Sequence, residues 1–161
     1  MGKIKKILIV CTGNSCRSPM AEGFLKRHLR PEDGFEIISV GILAAVGGLN
    51  PTQEAIEVMK EEGIDISSYI TKPFSADLAK SADIILVMAD IHREFILEKL
   101  PEVEDKVHLF KEFAQTAEAD REIRDPIGQP ISAYRAVKEE IKVASVEIVR
   151  KIREDKDLNK L

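Results

Sequence analysis

Residues 7–19 read Ile7-Leu8-Ile9-Val10-Cys11-Thr12-Gly13-Asn14-Ser15-Cys16-Arg17-Ser18-Pro19. The first four form a continuous apolar run of strand length, the pattern of a strand buried on both faces. Ser18 and Pro19 have the character of a helix start: serine accepts a hydrogen bond from a free first-turn amide, and proline is tolerated where no amide is needed. The stretch from Cys11 to Ser18 therefore joins a strand end to a helix N-terminus. First-turn amides and the helix dipole concentrate partial positive charge there, which suits a phosphate-like dianion. The same field, with Arg17 close to Cys11 in a tight loop, favours a thiolate and makes Cys11 a nucleophile candidate.

Outward from this loop, strand-like and helix-like segments alternate. Ala21, Phe24, Leu25 and Leu29 share one face of a helix running from Ser18 towards Leu29, which Pro31 and Gly34 end. Phe35–Ser39 reads as a strand, and Gly41 opens a loop containing Gly47-Gly48. Asn50-Pro51-Thr52-Gln53 resembles a capping box with proline in the first turn, followed by a helix that Gly63 stops. Ser75–Ala79 fits one helical turn, and Asp83–Met88 is a second fully apolar strand, with Asp90 as N-cap of the next helix. Val107–Phe110 is a short strand, Lys111–Pro130 a long polar loop, and Tyr134, Val137, Ile141, Ala144, Ile148 and Ile152 the stripe of a last helix.

This alternation predicts an α/β fold: a doubly wound parallel sheet of about four strands in the order 2-1-3-4, with right-handed crossovers and helices on both faces. In such a sheet ligands bind at the carboxyl ends of the strands where the winding reverses, which is the loop after the first strand. Length and composition agree with one domain over residues 1–161: 44% of the residues are hydrophobic and 32% charged. A net charge of −4 disfavours a general nucleic-acid binder. The start Met1-Gly2-Lys3-Ile4-Lys5-Lys6 is basic, but the apolar run after it is too short for a signal peptide or a membrane span, so a cytoplasmic protein is expected, with no membrane partner. The two cysteines do not make a secreted disulfide framework.

The segment Val10–Glu22, VCTGNSCRSPMAE, resembles the signature loop of the low-molecular-weight protein-tyrosine phosphatases. The similarity continues through Ser39-Val40-Gly41, Ile84–Met88 and Asp125-Pro126-Ile127-Gly128. It implies a metal-independent, cofactor-free phosphohydrolase. Cys11 is then the nucleophile that forms a cysteinyl-phosphate, and Arg17 binds two phosphate oxygens in a bidentate manner. The phosphate-binding loop comprises Thr12, Gly13, Asn14, Ser15, Cys16, Arg17 and Ser18. Gly13 and Asn14 suit left-handed backbone angles in such a loop. By resemblance, Asn14 locks the loop through its side chain and the Ser18 hydroxyl points at the Cys11 sulfur, alongside its role as helix cap. Asp125, otherwise readable as an Asp-Pro turn, matches the family's general acid, with Asp120 and Glu122 as fallbacks. Cys16 matches a cysteine that forms a reversible disulfide with the nucleophile. Ala89 and Ser68 depart from relatives that carry Asp and His there, so the polar support beneath the loop is expected to differ. A zinc site is disfavoured because His28, His92 and His108 stand at no ligand spacing; each reads as a surface or core residue.

The leading expectation is a protein phosphatase acting on phosphotyrosine, releasing inorganic phosphate. A protein-arginine phosphatase is the alternative, because relatives with that specificity carry Thr at the Ser15 position where tyrosine-specific ones carry a bulkier aliphatic residue. Ile127 also stands where an aromatic is common, and the chain has no Trp. An arsenate reductase or a redox-sensing module is the third reading. Thioredoxin-linked reductases need further cysteines near the strand ending at Met88, and no cysteine follows Cys16.

Overall fold

The computed structural model describes residues 3–44, 47–117 and 120–154. Met1-Gly2 of the basic start, residues 45–46 of the loop after Gly41, residues 118–119 of the polar loop, and the tail from 155 lie outside the described residues. The order of elements is β1 (Lys6–Cys11), α1 (Arg17–His28), β2 (Glu36–Gly41), α2 (Gln53–Lys60), α3 (Ala76–Ser81), β3 (Ile84–Val87), α4 (Asp90–Lys99), β4 (Val107–Leu109), α5 (Phe110–Ala114) and α6 (Ile131–Arg153). All pairings are parallel and the sheet order is β2-β1-β3-β4, as the alternation of segments predicts.

Successive β1 side chains enter opposite cores, which is why the run Ile7–Val10 is apolar at every position. Ile7 and Ile9 pack in the larger core with Met20, Leu25, Val58, Phe110, Tyr134 and Ile141, beneath α1, α2, α5 and α6. Leu8 and Val10 face the smaller core with Val40, Ala79, Ile96 and Leu109, beneath α3 and α4. Cys11 ends β1 opposite Gly41 of β2, and Val10 pairs with Val87 of β3, so the loop after Cys11 lies where the sheet winds both ways.

Several boundaries differ from the sequence reading. Strand β2 starts at Glu36 and reaches Gly41, and β3 omits Asp83 and Met88. Thr52 caps α2 by accepting the Ala55 amide at 3.3 Å, leaving Pro51 ahead of the cap. Asp90 is the first residue of α4 after the cap residue Ala89. The start of the expected polar loop is helical: Phe110, Phe113 and Ala114 supply one buried face, and α5 closes the core beside α6. Ser18 does not cap α1, which begins one residue earlier after Cys16; its hydroxyl is used inside the loop.

Candidate active site

The loop between β1 and α1 is held from within by short side chains. Ser18 Oγ lies 2.9 Å from Cys11 Sγ and accepts Asn14 Nδ2 at 2.8 Å. Asn14 adopts φ 56°, the left-handed region its short side chain tolerates, and its amide also donates to Ser39 Oγ at 2.9 Å. Its Oδ1 accepts the Lys72 amide at 2.8 Å, so one residue ties the loop to β2 and to the segment before α3. Ser39 Oγ in turn donates to Glu22 Oε1 at 2.6 Å, and Lys26 pairs with the other Glu22 oxygen. This chain of contacts is the polar support beneath the loop, and neither Ala89 nor Ser68 takes part in it.

Two backbone features close the cradle. The Thr52 amide donates to Ser15 O at 3.0 Å, and the Ile42 and Leu43 amides donate to Cys11 O and Thr12 O. Gly41 is required by close approach: a Cβ there would stand 2.6 Å from Thr12 O and 2.7 Å from Asn14 N.

Arg17 is buried at the start of α1, where an unpaired cation is unfavourable. Its Nη1 donates to Ile123 O at 2.9 Å, its Nη2 to Thr12 Oγ1 at 3.2 Å, and Asp125 Oδ2 stands 3.5 Å from Nη2. The segment carrying Asp125 is tethered at this sheet edge because the Ile123 amide donates to Met88 O at 2.9 Å, just past β3. Asp125 accepts the Ile127 amide in an Asx turn and keeps 40% of its side chain exposed. Asp120 and Glu122, the fallback acids, are spent elsewhere: Asp120 accepts the Glu122 amide, and Glu122 accepts the Asp90 amide at the start of α4.

Cys11, Thr12, Gly13, Ser15, Cys16, Arg17, Asp125 and Ile127 line one cleft of about 170 Å³. Both cysteines are free and buried. Cys16 Sγ has Tyr134 Oη and Thr52 Oγ1 at 3.6 Å, and burial pushes its thiol up despite these hydrogen bonds. Among the described residues no group of three His, Cys, Asp or Glu side chains is placed to hold a metal ion.

His92 is a core residue, within the reading of the histidines as surface or core residues, and it is also tied to the loop. Its imidazole is fully buried, with Nδ1 accepting the Ala89 amide at 3.0 Å and Nε2 2.9 Å from Thr12 Oγ1. Glu22 and Ser39, which lie in stretches that carry the resemblance, and Thr52, Tyr134 and the Ile123 carbonyl are further contributors to which the sequence reading gave no role in the site. His92 had a local signal of its own, its position three residues after Ala89 at a helix start.

The sequence profile described as low molecular weight phosphotyrosine protein phosphatase matches residues 6–158. The chain belongs to that family. Its structure is similar to a low molecular weight protein tyrosine phosphatase from T. tengcongensis, with a TM-score of 0.82 at 36% identity over 91% of this chain and 99% of the other. It is also similar to the protein-arginine-phosphatase of Geobacillus stearothermophilus, 35% identical over 91% of this chain and 95% of the relative, and to the structure of an arginine phosphatase from that organism, with a TM-score of 0.85 at 34% identity over 94% of each chain. An arsenate reductase of Staphylococcus aureus is 36% identical over 87% of this chain and 92% of its own length. The relatives thus carry three named activities, and the phosphatases among them are cysteine-based hydrolases.

Proposed function

We propose that this phosphatase hydrolyses phosphorylated protein side chains through a covalent cysteinyl-phosphate at Cys11, using only protein groups. The observation that carries the reading is the convergence of Cys11, Arg17 and Asp125 on one cleft. The Cys11 thiolate attacks phosphorus in line while Arg17 and the loop amides from Thr12 to Ser18 hold the non-bridging oxygens. Asp125 gives its proton to the leaving oxygen or nitrogen. Water then attacks the phosphocysteine, Asp125 takes back a proton, and the Cys11 sulfur leaves as a thiolate that Ser18 stabilises by hydrogen bonding. Arrival of the phosphate competes with Asp125 for Arg17 Nη2, which turns the carboxyl towards the leaving group.

Phosphotyrosine is the first substrate, on the general activity of the family. Phosphoarginine is the second reading, favoured by a specific observation: among the described residues the cleft wall offers Ser15 and Ile127 and no aromatic ring. Offset stacking with a phenol, worth about 0.5–1.5 kcal/mol per aromatic pair, is missing from that wall. Comparing kcat/KM on a phosphotyrosine and a phosphoarginine peptide tests the order. Ser15→Thr is expected to shift the ratio towards arginine and Ser15→Ile towards tyrosine. A preference for phosphoarginine of about tenfold or more, some 1.4 kcal/mol in transition-state binding, reverses it.

Cys16 is assigned as redox partner of Cys11, and the activity is assigned to a single domain over residues 1–161 in the cytoplasm, a compartment that keeps such thiols reduced. No described helix is long and apolar enough to cross a membrane. Turnover as an arsenate reductase is not expected, since no cysteine follows Cys16.

A further inference from the structure

We propose that His92 is a positioning residue for phosphoryl binding: through Thr12 it fixes the Arg17 guanidinium and leaves the Thr12 hydroxyl a hydrogen-bond donor facing the cleft. The inference rests on the phosphatase reading of that cleft.

His92 Nδ1 accepts the Ala89 amide at 3.0 Å, so Nδ1 carries no proton. In a neutral imidazole the proton is then on Nε2, which donates to Thr12 Oγ1 at 2.9 Å. Burial, helped by the Arg17 charge, pulls the imidazole down to about 4, so this arrangement persists through the neutral range. Thr12 Oγ1 has two lone pairs. His92 takes one, and Arg17 Nη2 takes the other at 3.2 Å. Both acceptor sites are occupied, and the hydroxyl proton of Thr12 is free to be donated.

Thr12 lines the same cleft as Cys11 and Asp125, so the acceptor offered to its hydroxyl is an oxygen of the bound phosphoryl group. The same contact sets one edge of the guanidinium while Ile123 O sets the other at 2.9 Å. The imidazole is itself anchored at the first turn of α4, so the strand-end loop after β3 is coupled to the position of Arg17. Among the lining residues, His92 hydrogen-bonds Thr12, and its effect on turnover is expected to pass through that residue.

A double-mutant cycle tests this, with His92→Gln and His92→Leu each combined with Thr12→Val, reading kcat and KM on an aryl phosphate and the Kd of orthovanadate. His92→Leu is expected to lower kcat and vanadate affinity about tenfold or more, since small misplacements of a binding group are costly. His92→Gln keeps a donor towards Thr12 and is expected to restore most of the loss. In the Thr12→Val background the His92→Leu change is expected to cost little. Equal losses in both backgrounds, or an unchanged kcat in folded His92→Leu, overturn the proposal. If His92→Leu does not fold, Thr12→Val alone decides: retention of the wild-type kcat and vanadate Kd contradicts the role given to the Thr12 hydroxyl. A wild-type protein without aryl phosphatase activity overturns the reading of the cleft itself, whereas an active wild type with indifferent variants removes His92 alone.

Discussion

Ser18 Oγ stands 2.9 Å from Cys11 Sγ while accepting the Asn14 side-chain amide at 2.8 Å. Because Asn14 occupies an acceptor site on that oxygen, the Ser18 proton is left for the sulfur; its other acceptor, Val40 O, is farther away at 3.5 Å. The serine therefore supports negative charge on sulfur both when it attacks and when it leaves.

Removing that donor has a defined kinetic signature. Ser18→Ala is expected to lower kcat by about a hundredfold, the scale on which single donors to a developing anion act. The second step, in which the thiolate leaves, slows as well, so rapid mixing with an activated aryl phosphate is expected to show a burst of phenol. Steady turnover at the wild-type rate would contradict the role of Ser18.

Asp125, unlike Asp120 and Glu122, lines the cleft. Asp125→Asn is expected to lower turnover by about 10²–10⁴ with poor leaving groups and far less with activated aryl phosphates, which leave without a proton. The check is the slope of log kcat/KM against leaving-group pKa, which steepens in the variant. A uniform loss across the series contradicts the assignment.

The two thiols of the cleft predict reversible oxidation. Peroxide converts the Cys11 thiolate to a sulfenic acid with release of hydroxide, and Cys16 then displaces water to give the disulfide. Since burial pushes the Cys16 thiol up, this second step is expected to accelerate as pH rises above neutral, where more of it is thiolate. Dithiol treatment is expected to restore wild-type activity but not that of Cys16→Ser, and full recovery of the variant would remove Cys16 from this role.

Gly41 offers a test of the cradle without touching a reacting group. A Cβ at that position meets the backbone of Thr12, Gly13 and Asn14 below 3 Å, so Gly41→Ala must displace the loop. Overpacking of this kind costs about 1–3 kcal/mol, read as a lower Tm, and kcat is expected to fall with it. A variant with unchanged Tm and kcat contradicts the close approach.

The unequal legibility of fold and site has physical causes. The run Ile7–Val10 signals burial on both faces by itself, and the alternation around it carries the sheet order, because crossover handedness leaves few topologies open. The loop composition was readable because glycine, asparagine and serine meet local backbone and capping needs. Ser18 reads both as a cap and, by resemblance, as a partner of the Cys11 sulfur: a short hydroxyl serves either a helix amide or a neighbouring thiol, and the path of the loop gives it to the thiol. Residues 110–114 were missed as a helix because five residues carry too little periodicity, and their apolar face is explained by α6, which lies far along the chain. His92, Ser39 and Glu22 act across long sequence separations, so their contacts to the loop become visible only once β2 and β3 flank β1.

The central claim is that Cys11 carries the phosphoryl group during turnover. The direct measurement is acid quenching of Asp125→Ala during turnover of an activated aryl phosphate, followed by intact-protein and peptide mass spectrometry, since loss of the base that activates water lets the intermediate accumulate. One added phosphoryl group is expected, located on the peptide containing Cys11 and absent from Cys11→Ser, which still binds vanadate. Continued turnover with no adduct, or an adduct on a residue other than Cys11, would contradict it.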